Sequence, residues 1–233
     1  SDERFRRLFI PSPGLRMVGA DLSGIELRML AHYLARYDGG RYAKLLLEDD
    51  IHQINADKIG ISRRQVKTVT YAFLYGAGDE KIGHSFDPQL STAQAKKKGK
   101  EIRGAYVDAV TGLGDLLDAV KKAAERGFIK SIDGRTIKVD SPHKALNYLL
   151  QSGAGVIAKR WMVINQETMR EAKICASQLG FIHDELQFEC APEHIGNLST
   201  SLVYSATAAG EYYNMRIRID AEATHGNNWS ETH

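Results

Sequence analysis

The sequence predicts an α+β fold, an antiparallel sheet with helices on one face, carrying a helical insertion over about residues 40–126. Three observations point there. Asp133-Gly134 lies between two β-type runs, a hairpin signal. A second pair of strand-like runs spans 178–190, with His183-Asp184-Glu185 near its tip. Between the first strand-like run and the first hairpin, the apolar period is helical. Strands and helices that segregate along the chain suit an α+β layer rather than alternating βαβ units.

Residues 16–21 read as a strand. Residues 26–37 read as a helix, with Leu27, Leu30, Leu34 and Tyr37 at helical spacing, and Asp38-Gly39-Gly40 ends it. Asp50 is positioned to cap a helix over 51–58, and Ser62 a helix over 63–75 that Gly76-Ala77-Gly78 stops. Helices follow over 92–110 and 113–126, with Gly127 as terminator. Residues 128–132 and 135–139 form the first hairpin. Ser141-Pro142 reads as cap and first position of a long helix reaching about residue 172. After the second hairpin, Pro192 opens a helix to about residue 213. The alternation Arg216-Ile217-Arg218-Ile219-Asp220 reads as a half-buried strand, and 225–233 as a polar tail.

A length of 233 residues, 43% hydrophobic and 26% charged, suffices for a real core. No apolar stretch approaches the roughly 20 residues of a membrane span, and residues 1–7 are too polar for a secretory leader. A cytoplasmic protein with two buried, reduced thiols, Cys175 and Cys190, is expected. The net charge of +2 does not by itself announce nucleic-acid binding. The lysines at 96–98, 100, 121 and 122 read as solvated helix faces.

Two acidic positions close apolar runs about 160 residues apart. Asp21 follows Met17-Val18-Gly19-Ala20, and His183-Asp184-Glu185 follows Leu179-Gly180-Phe181-Ile182. Carboxylates at the ends of buried runs need neutralising partners. A pair of hard cations, Mg2+, does this with oxygen ligands. Between the two, Arg63, Lys67, Tyr71 and Tyr75 recur every four residues along one helix stripe. Cations near a helix N-terminus suit a polyphosphate, and rings further along suit a sugar and a base. His52 can add a donor, Glu26 a wall beside a sugar pocket, and Asn147 and Gln151 amides for bases or sugars. Together these point to nucleotidyl transfer.

In combination the segments resemble the family A (pol I-type) DNA polymerases, most of all the replicative enzymes of short-tailed phages. Asp21-Leu22-Ser23-Gly24-Ile25-Glu26-Leu27-Arg28 is similar to motif A of that family. Arg63 through Lys67, Tyr71 and Tyr75-Gly76 resembles motif B, and His183-Asp184-Glu185 motif C. Asp133-Gly134-Arg135 and Ser141-Pro142-His143 through Asn147 and Gln151-Ser152 match between them. The resemblance implies a right-hand palm over 1–40 and 127–233 and fingers over 41–126. It implies Asp21, Asp184 and the Leu22 carbonyl as ligands of two Mg2+, with Glu185 in support. Arg63, Lys67 and His52 would hold the triphosphate of a dNTP, Tyr71 the sugar, and Glu26 would exclude a 2′-hydroxyl. Tyr75 and Gly76 would flank the template base. Arg135, His143, Asn147, Gln151 and His183 would track primer-template DNA.

Only about 20 residues precede Asp21, where the family places thumb, much of the palm and an exonuclease. A split polymerase or a fragment is therefore expected, with a second polypeptide supplying thumb, remaining palm and any 3′–5′ exonuclease, in the cytoplasm of an infected bacterium. The resemblance also implies ready use of dideoxynucleotides through Tyr71. Two other readings share some of these residues. A single-subunit RNA polymerase has the aspartates and the Arg63/Lys67/Tyr75 pattern but neither Glu26 nor Glu185. A non-catalytic DNA-binding subunit has no need of Asp21, Lys67 and Asp184.

Overall fold

The computed structural model describes residues 3–233. In chain order the elements are α1 (Glu3–Arg6), β1 (Arg16–Leu22), α2 (Ile25–Asp38), α3 (Arg41–Glu48), α4 (Ile51–Ile59), α5 (Arg63–Leu74) and α6 (Asp79–Phe86). There follow α7 (Thr92–Ala109), α8 (Leu113–Ala124), β2 (Phe128–Lys130), β3 (Thr136–Lys138) and α9 (Ala145–Glu171). The chain closes with β4 (Ala176–Ile182), β5 (Glu185–Cys190), α10 (Ile195–Tyr212), β6 (Ala221–Gly226) and a 3-10 turn, Trp229–Thr232. It divides into two units. One takes the chain up to Ile25 and from Gly153 onward; the other is Glu26–Ser152. These boundaries differ from breaks at 40/41 and 126/127: α2, the β2–β3 hairpin and the first turns of α9 fall with the helical unit.

The first unit is built on an antiparallel sheet in the order β4-β5-β1-β6. As an inner strand, β1 buries Met17, Val18, Ala20 and Leu22, so alternation gives way to a continuous apolar run. Gly19 is required there: a Cβ would lie 2.2 Å from the Gln187 amide nitrogen and 2.3 Å from the Thr232 carbonyl oxygen. Helix α10 packs on β1 and β6. The fully buried Trp161 of α9 donates its indole N–H to the Leu202 carbonyl of α10 at 2.8 Å. β4 is an edge strand with a register shift between Gln178 and Gly180.

In the helical unit, α5 starts at a capping box in which Ser62 and Gln65 exchange side-chain and backbone hydrogen bonds. Its inner face, Val66, Val69, Thr70, Phe73 and Leu74, is buried. Helices α6 and α7 approach through glycine: a Cβ on Gly83 would sit 1.9 Å from the Ala95 carbonyl oxygen, and one on Gly99 1.7 Å from that of Asp79. Arg103 ties the same corner by donating to Asp79 at 2.6 Å and to the Ala77 carbonyl.

Several local expectations are corrected. Residues 216–220 are not a strand; β6 begins at Ala221 and takes in His225. The alternation there has another cause, since Ile217 and Ile219 are buried and Gly210 of α10 lies against Ile219. Ser141 makes no side-chain cap, because Pro142–Lys144 form a 3-10 turn before α9 begins. The first hairpin closes through Ser131 and Arg135 with Gly134 at φ 82°, a longer turn than the two-residue form. The structure adds α3 and α6 to the helices expected from the sequence. Cys175 is exposed rather than buried, while Cys190 is buried; both are free thiols. No described helix is long and apolar enough to cross a membrane.

Candidate active site

Asp21 stands near the end of β1, opposite Glu185 of β5 on one side and Glu222 of β6 on the other. The His183-Asp184 turn joins β4 to β5, with His183 exposed and in the left-handed region at φ 57°. The Leu22 amide donates to the Asp184 carbonyl oxygen at 3.0 Å, which fixes the turn beside the end of β1. Antiparallel pairing of β1 with β5 thus brings the two distant acidic segments side by side.

One ligand-type atom each from Asp21, Glu185 and His233 lies within 4.8 Å of the others. Asp184 stands outside this trio, but its charge reaches Asp21. Burial first, and then the adjacent Glu185, push the Asp21 carboxyl up to about 6; Asp184 raises it further, while His233 and Arg6 oppose. A divalent cation would reverse this crowding of negative charge, and hard carboxylate oxygens suit one. The residues present therefore fit a Mg2+ site.

Glu185 is buried, and both of its oxygens are engaged. Oε1 accepts from the Trp229 indole N–H at 2.5 Å and from the Gln187 amide at 2.6 Å. Oε2 lies 2.8 Å from Nδ1 of His233. Thr232 donates its hydroxyl to the Gln187 amide oxygen at 2.8 Å. The last five residues are thereby stitched to the acidic hairpin. Gln187, Trp229 and His233 were missed in the sequence, where 225–233 reads as a polar tail; an indole within that tail was the only signal.

In the helical unit, Arg63, Lys67 and Tyr75 are exposed and Tyr71 half-buried along α5, as the four-residue spacing requires. The Arg63 Nε donates to Asp50 at 2.6 Å, which holds the Asp50 carboxyl below the usual carboxylate range. His52 is buried on α4, with its ring 6.2 Å from that of Tyr71. Burial holds its imidazole below its ordinary value; nearby Arg63 and Lys67 push the same way, and Asp50 opposes them. His52, Arg63 and Lys67 thus lie near one another, with the His52 ring beside the stripe at Tyr71. The Tyr75 hydroxyl donates to Glu26 at 2.5 Å.

Asn147 donates to the Leu74 carbonyl at 2.8 Å and lies against Gly76, itself at φ 71°. Arg135 pairs with Asp133. The buried Nε2 of Gln151 has no hydrogen-bond partner. His143, Asn147, Gly76, Arg103 and Lys121 line a cavity of about 610 Å³ within this unit.

The family model for DNA polymerase family A matches residues 1–231. The chain is similar to the DNA-directed DNA polymerase of Enterobacteria phage T3, at 36% identity over 92% of this chain and 33% of that protein. It is similar to the enzyme of Escherichia phage T7 at 34% identity, with the same coverage of 92% and 33%. It therefore spans about a third of the length of these curated relatives. It also shares its fold with the POL domain of Pol1 from M. smegmatis, solved in complex with DNA primer-template and dNTP. That match has a TM-score of 0.81 at 24% identity and covers 99% of this chain and 43% of the other.

Proposed function

The chain belongs to DNA polymerase family A, and from that premise we propose that it carries the catalytic palm and fingers for template-directed DNA synthesis. The reaction is attack of a primer 3′-oxygen on the α-phosphate of a dNTP, with pyrophosphate leaving. The observation that carries this reading is the β1–β5 pairing, which sets Asp21 beside the His183-Asp184-Glu185 hairpin. Asp21, Asp184 and the Leu22 carbonyl would hold two Mg2+. A divalent ion held by these oxygens would supply charge neutralisation for the attacking and leaving oxygens.

The residues of this chain do the rest. Glu185, with both oxygens engaged, supports the metal site as a fixed negative charge beside Asp21. Arg63, Lys67 and His52 hold the triphosphate, and Lys67 neutralises or protonates the departing pyrophosphate. Tyr71 lies on the sugar. Glu26, held by Tyr75, fills the space a 2′-hydroxyl would need. Tyr75 and Gly76 flank the template base, while Arg135, His143, Asn147, Gln151 and His183 follow primer and template. Positioning and fixed charge dominate transfers of this kind.

A further part of the polymerase, either an N-terminal portion of the same polypeptide or a second chain, supplies thumb and remaining palm. Supporting this, the sheet unit exposes Leu8, Phe9, Ile10 and Leu179 around a groove of about 600 Å³ that also touches Trp229. Contiguous apolar surface of this kind marks an interaction site. The test is primer extension by this chain together with the missing polymerase portion, with dNTPs and rNTPs compared. Extension with dNTPs that collapses in Asp184→Asn supports the reading. Undiminished synthesis by that variant, or preference for rNTPs, overturns it.

A further inference from the structure

We propose that Asp50 is a positioning residue for the triphosphate-binding face of α5, holding the Arg63 guanidinium ready for a polyphosphate. The inference rests on the reading of Arg63 given above. Each Asp50 oxygen has a separate task. Oδ1 accepts from the Gln53 amide at 3.1 Å and caps α4. Oδ2 accepts from Arg63 Nε at 2.6 Å. One carboxylate thus joins the start of α4, which carries His52, to the start of α5, which carries Arg63 and Lys67.

The geometry of the contact argues for positioning. A guanidinium has five N–H donors arranged as a fork. Gripping it through Nε leaves the two terminal nitrogens for a bidentate bond to phosphate. Arg63 and Asp50 are about half exposed, at 51% and 45% of their side chains, so the pair adds little to folding. Its value lies in removing rotamer freedom from a long side chain before the ligand arrives. Asp50 also offsets part of the repulsion among three groups of positive or potentially positive charge, since it opposes the effect of Arg63 and Lys67 on His52.

Asparagine caps a helix as well as aspartate does, so Asp50→Asn keeps the cap while removing the charge that grips Arg63. The experiment is calorimetric titration of the whole chain with inorganic tripolyphosphate. Five proteins are compared: wild type, Arg63→Ala, Asp50→Asn, Arg63→Lys and the double variant Asp50→Asn/Arg63→Lys. Asp50→Asn should weaken binding by roughly fivefold, the upper end for an exposed pair. The same change in the Arg63→Lys background should cost less than about twofold, because lysine has no Nε to hold. In the assembled polymerase, Asp50→Asn should raise the dNTP KM by a similar factor and leave kcat near its wild-type value.

Arg63→Ala separates the two levels of the argument. If it leaves tripolyphosphate affinity unchanged, the assignment of Arg63 fails and the inference goes with it. If Arg63→Ala weakens binding but Asp50→Asn does not, or weakens it equally in both backgrounds, only the role of Asp50 is overturned. Tighter binding by Asp50→Asn would make the carboxylate a competitor of phosphate and would also overturn it.

Discussion

Truncating Glu185 to alanine should destabilise the sheet unit far more than converting it to glutamine. The buried carboxylate receives the Trp229 indole N–H, the Gln187 amide and, at its other oxygen, His233 Nδ1. Alanine leaves the half-buried Trp229 indole N–H without its acceptor, at about 1–3 kcal/mol, while the Gln187 amide keeps the Thr232 carbonyl oxygen at 3.2 Å. At about 2–4 °C per kcal/mol for a chain of this size, a loss of ~2 kcal/mol lowers the midpoint by about 4–8 °C. Glutamine can keep its oxygen toward Trp229 and Gln187 and offer its NH2 to an unprotonated Nδ1 of His233. Its loss is then mainly charge assistance, partly offset by relief of repulsion with Asp21. The assay is thermal unfolding of both variants by circular dichroism without divalent ions, with the Asp21 carboxyl followed by carbon-13 NMR. In Glu185→Gln the Asp21 carboxyl should titrate below its wild-type value of about 6, because the second-largest cause of its elevation is gone. A Glu185→Ala midpoint within about 2 °C of wild type, or an Asp21 titration unmoved in Glu185→Gln, would refute this account of the network.

Other outcomes follow from the same residues. Because the folded Asp21 carboxyl is raised from 3.8 to about 6, metal-free stability should fall as pH rises through that window. Mg2+ competes with the proton, so the rise in melting temperature on adding Mg2+ should be larger at about pH 7.5 than at about pH 5; equal gains would contradict it. Gly99→Ala should cost at least about 1–3 kcal/mol in chemical denaturation, since its Cβ would fall 1.7 Å from the Asp79 carbonyl oxygen; a neutral result would show that α6 and α7 separate easily. In the assembled polymerase, Tyr71→Phe should reduce dideoxynucleotide incorporation in a chain-termination assay, and unchanged termination would remove Tyr71 from the sugar pocket.

What was legible in the sequence is what local chemistry dictates. Ser62 and Gln65 announce the start of α5, and the four-residue spacing of Arg63, Lys67, Tyr71 and Tyr75 survives as an accessible stripe. The Asp21 and Asp184 segments were readable as strand ends because their apolar runs are short and sharply closed. Features set by distant partners were hidden. The alternation at 216–220 comes from packing near α10, not from pairing in the sheet. Ser141 has the residue type of a cap, but a 3-10 turn intervenes. The link from Trp229 and His233 to Glu185 crosses more than 40 residues and has no local pattern. Nor could the sequence reveal that Asn147 is bound to the Leu74 carbonyl, 73 residues away.

On the proposed reading, Asp21 and Asp184 together hold divalent ions where the end of β1 meets the β4–β5 hairpin. Titrating the chain with Mn2+ and following the side-chain carboxyl carbons by NMR tests it most directly. Both carboxyl signals should broaden first and together, and Asp184→Asn should weaken the binding. Broadening elsewhere while both stay sharp, or Mn2+ affinity unchanged in Asp184→Asn, would contradict it.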